Sequence, residues 1–292
     1  MKAMLLPVLP EVVLLTMACA ILLVDLFLSD ARRHVSYWLT QAALAACAWI
    51  AVTTMNPEPV VAFHGLVVDD VLSDFLKLAS CVAVSLMLFY GRGYLLARGL
   101  FKGETFVLTL TALLGILVMV SANHFITLYM GLELQALSLY AMVAMHRASN
   151  AATEAAMKYF VLGALASGML LYCISMIYGA TGSLQLDAVS QAIFSGRGNR
   201  VLLTFGLVFV VSGLAFKLGV VPYHMWVPDV YHGAATPVTL FIGTAPKLAA
   251  FAITLRLLAV GLAGLEIDWS GMLLILSILS MIVGNLVAIA QT

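Results

Sequence analysis

Thr105-Phe106-Val107-Leu108-Thr109-Leu110-Thr111-Ala112-Leu113-Leu114-Gly115-Ile116-Leu117-Val118-Met119-Val120-Ser121-Ala122 carries no charge over 18 residues. A helix crossing a hydrocarbon core of about 30 Å needs about 20 predominantly apolar residues, so this stretch reads as a membrane span. The same pattern recurs along the chain, in windows at residues 4–28, 37–55, 71–90, 105–122, 124–145, 156–179, 201–219, 237–260 and 271–290. The windows predict an all-α polytopic membrane protein with about nine transmembrane helices. The period-two alternation of barrel strands is absent.

Composition agrees. Of 292 residues 63% are apolar and 10% charged, against about 25% charged in a soluble domain. The mean hydropathy is +1.09, which excludes a soluble fold. Fourteen basic and 14 acidic residues cancel, and no long basic run occurs. The expected surroundings are therefore a lipid bilayer, with no nucleic acid as partner. Residues 1–28 hold an apolar run longer than a signal-peptide core and read as a retained first helix. Arg32, Arg33, Arg92, Arg98, Lys102 and Arg147 fall in one set of connections, and Lys2, Arg197 and Arg200 in the alternate set. By the positive-inside bias, the N-terminus is expected outside the cytoplasm.

One connection differs from the rest. Gly219-Val220-Val221-Pro222-Tyr223-His224-Met225-Trp226-Val227-Pro228-Asp229-Val230-Tyr231-His232-Gly233-Ala234-Ala235-Thr236-Pro237 holds three prolines and two glycines, which no continuous helix supports. An interrupted helix followed by a short amphipathic piece is expected. Irregular backbone at membrane depth is tolerated only against protein or a watered cavity, so the segment points to a hydrated interior.

The remaining charges are informative because one at the bilayer centre costs about 2.5–3.5 kcal/mol on insertion scales. Glu133 lies mid-way along the fifth span, Lys217 in the last turn of the seventh, Lys247 after Pro246 in the eighth, and Lys158 near the start of the sixth. A lysine near a carboxylate changes its proton affinity as the two move, which is what a proton relay needs. Arginine cannot serve, since it does not deprotonate. His224 and His232 are candidate shuttles.

Each has a structural alternative. Glu133 and Lys217 also suit a static ion pair, and Lys158 has Glu154 four residues before it. Asp74 and Lys77, one turn apart near a span end, read as structural or snorkelled. Arg256 is expected to reach the interface, Glu11 and Asp25 to face headgroups, and His124 to be structural. Gly163 and Gly168 permit close helix packing. Cys19, Cys47, Cys81 and Cys173 sit in apolar stretches and read as buried apolar residues with no metal site. No Walker, Rossmann or His-Glu-x-x-His pattern occurs, so nicotinamide, flavin and iron–sulfur clusters are not expected to bind this chain.

Several runs are specific enough to identify a family. Tyr129-Met130-Gly131-Leu132-Glu133-Leu134-Gln135, Glu154-Ala155-Ala156-Met157-Lys158-Tyr159-Phe160, Tyr178-Gly179-Ala180-Thr181-Gly182, Phe216-Lys217, Trp226-Val227-Pro228-Asp229 and Ala245-Pro246-Lys247 resemble the antiporter-like membrane subunits of respiratory complex I, and among them subunit N. The match is close over residues 105–260 and rests on hydropathy in the first three helices. Trp226-Val227-Pro228-Asp229 is shared across the wider antiporter superfamily, whereas Met157-Lys158-Tyr159-Phe160 points to subunit N. Ala235 departs from the proline usual there.

The resemblance implies a fold of roughly fourteen helices with two inverted five-helix repeats, of which this chain would cover the N-terminal half to two-thirds, stopping at Gln291-Thr292. Residues 1–104 would be helices 1–3, residues 105–262 the first repeat with one discontinuous helix, and residues 263–292 the start of the second. It implies proton translocation through Glu133, Lys217 and Lys247 as part of an NADH:quinone oxidoreductase in a bacterial inner membrane. Quinone and NADH would be bound by other subunits, and no cofactor by this one. A multisubunit Na+/H+ antiporter, a membrane-bound hydrogenase and a purely structural scaffold remain as alternatives.

Overall fold

The structure, a computed structural model, describes residues 5–290; Lys2 and the closing Gln291-Thr292 lie outside the described residues. Among the described residues nine helical segments are long and apolar enough to cross a membrane, in the nine windows read from the sequence. The protein is an integral membrane protein. In chain order the helices are α1 (Leu9–Asp25), α2 (His34–Thr53), α3 (Val71–Ala97), α4 (Gly103–Val120), α5 (Phe125–Val143), α6 (Asn150–Thr181), α7 (Leu186–Phe194), α8 (Arg200–Leu218), α9 (Trp226–Gly233), α10 (Thr236–Gly243), α11 (Ala245–Thr254) and α12 (Glu266–Ala290). The sixth span is longer than its apolar window because Ser149 caps it early, accepting from the Ala152 N–H, and Gly182 closes it in a left-handed conformation.

The core forms around α4, the most buried span, which packs against α1, α3, α5 and α11. The α4–α5 contact is backbone to backbone. A Cβ on Gly115 would stand 2.5 Å from the Gly131 carbonyl oxygen and the Gln135 nitrogen, so only glycine fits. In lipid, where the hydrophobic effect does not drive helices together, such close packing supplies the association energy. By contrast α12 has no buried residue and runs along the periphery.

Two features lie between the spans. Val60–Ala62 (β1) and Val67–Asp69 (β2) form a short antiparallel hairpin, with Val60 opposite Asp69, and α7 is an amphipathic helix between α6 and α8. The non-helical stretch expected after the seventh span is present as turns from Gly219 to α9. A second interruption lies inside the eighth span, between α10 and α11. Pro246 has no N–H for the carbonyl one turn back, and the helix breaks at Thr244, whose hydroxyl donates to the Leu240 oxygen at 2.9 Å and the Phe241 oxygen at 3.2 Å. After α11 the eighth span finishes in a π-helical turn, Leu255–Gly261.

Glu11, expected at the headgroups, and Arg256, expected at the interface, are buried instead, as is Lys77. Lys77 is 0% exposed, and its ammonium lies 2.9 Å from Glu11 Oε1 and 3.2 Å from the Pro7 oxygen. Arg256 pairs with Asp70 at 2.9 Å and donates from Nε to the Val120 oxygen at 2.7 Å. Snorkelling fails for Lys77 because its partners, Pro7 and Glu11, come from the first span and hold it inside the bundle.

Candidate functional site

The site forms where α8 ends. Gly219, left-handed at φ 75°, terminates the helix after Lys217 and Leu218, and a helix C-terminus leaves its last carbonyls without partners. Lys247, carried by α11 just past the break in the eighth span, fills that need. Its Nζ donates to the Leu218 oxygen at 2.8 Å and the Lys217 oxygen at 3.1 Å. The ammonium also stands 5.2 Å from the Trp226 ring centroid. The negative end of the helix and the π face both favour a cation there.

Trp226 opens α9 and joins it to the same turn, its indole N–H donating to the Phe216 oxygen at 3.0 Å. Tyr159 stacks on Trp226 with centroids 4.8 Å apart, and Tyr140 meets Tyr159 edge-on at 4.7 Å. This aromatic column spans from α5 through α6 to α9. Gly163 makes room for the Tyr140 hydroxyl, which is buried without a hydrogen-bond partner.

Lys217 and Lys247 both line one small cavity of about 30 Å³, with Gln135, Tyr159, Trp226 and Pro246 on its walls. A water needs roughly 10–15 Å³ by this measure, so the cavity has room for about two. Glu133 is within electrostatic range of Lys217, Tyr129 and Tyr140. Its Oε1 is buried without a hydrogen-bond partner. No ion pair within 4.0 Å joins Glu133 to Lys217; the Lys217 ammonium lies 6.0 Å from the Phe216 ring centroid. The direct ion pair considered from the sequence is not formed.

The other three residues lie elsewhere. Lys158 bonds Glu154 at 2.8 Å and Asp229 at 3.0 Å, tying α6 to α9 at the membrane face. His224 sits in the turns before α9 with Nδ1 buried and unpartnered, and His232 is exposed in the last turn of α9. Neither histidine lines the cavity. Asp229, Tyr159 and Trp226 were missed as functional residues. Asp229 had a signal, being a carboxylate inside the broken segment, but its partner is 71 positions away. Among the described residues no cluster of three or more His, Cys, Asp or Glu is placed to hold a metal.

Residues 122–292 match the family model described as NADH:quinone oxidoreductase/Mrp antiporter, TM. An NADH-quinone oxidoreductase subunit N of Thiobacillus denitrificans is 57% identical over 98% of this chain and 59% of its own length. The chain thus spans about three-fifths of the length of the curated relatives it matches. A chain of respiratory complex I from Thermus thermophilus superposes with a TM-score of 0.77 at 33% identity, over 96% of this chain and 58% of that one. A chain of the Mrp complex from Dietzia sp. gives a TM-score of 0.69 at 23% identity, over 88% of this chain and 48% of that one, a likeness of fold. On the family match, with nine spans, a broken eighth span and two lysines meeting at the end of the seventh, this chain belongs to the family of NADH:quinone oxidoreductase and Mrp antiporter membrane subunits.

Proposed function

We propose that the chain forms part of a proton-translocating membrane subunit of an NADH:quinone oxidoreductase, in which redox chemistry carried out on other subunits drives protonation changes along Glu133, Lys217 and Lys247. The observation that carries this reading is the shared cavity. Two lysines on different spans face one small space inside the bundle, with a carboxylate in electrostatic range and backbone carbonyls holding one of them. Such groups trade protons when their spacing changes, because burial penalises the charged form and a nearby opposite charge restores it.

In this reading Glu133 and Lys217 form the loading pair, and Lys247 takes the proton onward. Lys158 positions α9 through Asp229. His224 and His232 connect the broken segment to water. Residues 1–104 support the channel, residues 105–262 form the proton half-channel, and residues 263–292 begin the second repeat. The names of the relatives support assembly with other membrane and peripheral subunits of complex I, which bind NADH and quinone. No cofactor is assigned to this chain. The charge asymmetry of the connections supports an N-terminus outside the cytoplasm, and the bacterial relatives support the inner membrane.

Proton release per NADH oxidised, measured in membranes carrying the full-length subunit with Lys217→Ala, tests the relay. Unchanged stoichiometry would refute it. Transport that depends on Na+ with no NADH-linked activity would instead favour the antiporter reading.

A further inference from the structure

A second set of ionisable groups is buried away from the central cavity, at the end of the bundle where the β1–β2 hairpin lies. Glu11 comes from α1, Asp69 from the end of β2, and Asp74 and Lys77 from the first two turns of α3. Asp74 is 1% exposed, Asp69 5% and Glu11 7%. Lys77 pairs with Glu11, whose Oε1 also accepts from the Ser121 hydroxyl at 3.2 Å. The neighbouring Asp70 is neutralised separately by Arg256. Cys47 from α2, donating to the Pro10 oxygen at 3.5 Å, and Cys81 from α3 complete the titratable groups around the cluster.

The charges do not balance when all are ionised: three carboxylates face one ammonium. The carboxyls of Asp69 and Asp74 are neighbours that act on each other electrostatically. Two buried carboxylates side by side repel when both are ionised, so the pair favours holding one proton between them. Burial pushes the Asp69 carboxyl up, with Lys77 opposing. Two further oxygens, Asp74 Oδ2 and Glu11 Oε2, are buried without a hydrogen-bond partner, and each is a place for a proton to move to. One end of the cluster borders open space. A cavity of about 400 Å³, lined by Pro7, Thr54, Asn56 and Asp69, opens beside it. At the other end Ser121 lies two residues beyond Met119, which lines the central cavity.

We propose that Asp69, Asp74, Lys77 and Glu11 form a second proton-holding site, distinct from the Glu133, Lys217 and Lys247 set, which takes a proton from water at Asp69 and holds it between Asp69 and Asp74. The hydronium proton bonds to a carboxylate oxygen and the water departs neutral, so no other reactant is needed. The site does not rest on the central residues acting as a relay.

Infrared difference spectroscopy of the full-length subunit in its complex, titrated with pH, tests this. A carbonyl band of protonated carboxyl is expected to appear as pH falls, to shift promptly on transfer to deuterated water, to vanish in both Asp69→Asn and Asp74→Asn, and to persist in Glu133→Gln. Asparagine at position 74 donates the hydrogen that the shared proton supplied, which preserves the fold; Asp69→Asn, at the cavity wall, is the independent second variant. A band unchanged by both substitutions would overturn the site. So would a wild-type protein whose protonated-carboxyl band is absent or does not shift in deuterated water, a result that needs no variant. Loss of the band only in Glu133→Gln would assign the titration to the central cavity instead.

Discussion

Lys247 caps a helix that is not its own: its ammonium, on the eighth span, sits 2.8 Å from the last carbonyl of the seventh. The contact makes the end of α8 depend on a side chain 29 residues further on. Replacing Lys247 with methionine keeps the volume and leaves the Leu218 and Lys217 carbonyls without their donor. The expected loss is about 1–3 kcal/mol of stability, read as a lower thermal midpoint of the solubilised complex. Lys247→Arg restores donors but cannot release a proton. It is expected to recover the midpoint and not the proton pumping, and recovery of both would remove Lys247 from the relay.

Among the described residues Glu133 makes no ion pair within 4.0 Å, and its Oε1 is buried without a hydrogen-bond partner. Glu133→Gln preserves shape and removes the charge. Assembly should be normal, and proton translocation per NADH should fall about tenfold or more if the carboxylate takes up the proton. Glu133→Asp, which keeps the acid, should retain part of it.

The clamp from Lys158 to Asp229 holds α9 against α6, with Gly233 packed on Ala151 and Ala155. Hydrogen exchange of residues 226–233 should speed up in Asp229→Asn and in Lys158→Met. The wild-type rate should also rise with salt, since the pair is half exposed and therefore screened. Equal exchange in all three proteins would show that the Trp226 contacts alone hold the helix.

Gly115→Ala places a methyl group 2.5 Å from two backbone atoms of α5. Neither atom can move without shifting the helix, so about 1–3 kcal/mol of destabilisation is expected. Chemical denaturation in detergent would measure it. Gly168→Ala, where a Cβ would meet nothing within 4 Å, is the control expected to cost little.

His124 caps α5 by accepting the Ile126 N–H on Nδ1 at 3.2 Å. Burial holds its pKa below the ordinary 6.5. The unfolded chain therefore binds the proton first, and the contribution of this cap is intact above about pH 6.5 and weakens as pH falls below it. Exchange at Ile126 and Thr127 should quicken on acidification, and His124→Asn, which caps without titrating, should abolish that response.

The spans were legible because each is a long local pattern: an apolar window of residues 201–219 is nearly the observed α8, Arg200–Leu218. Glu133, Lys217 and Lys247 stood out for the same reason, as charges inside such windows. What the windows could not convey was pairing across the bundle. Glu11 and Lys77 looked like separate charges near span ends, and only the crossing of α1 and α3 makes them one buried pair. Asp229 was visible only as part of a proline-rich break. The hairpin of β1 and β2 is too short, at three residues a strand, for alternation to register. The interruption at Thr244 was foreshadowed by Pro246, which was read for the lysine beside it.

The last turn of α8 has a carbonyl for each of its visitors: Phe216 for Trp226, and Lys217 and Leu218 for Lys247. A neutral amine still donates hydrogens but loses the attraction of the helix's negative end, so deprotonation loosens Lys247 from the turn without freeing Trp226. In the proposed relay the turn would work as an escapement, releasing the lysine only after its charge has gone, while the Trp226 bond to Phe216 would keep α9 in place.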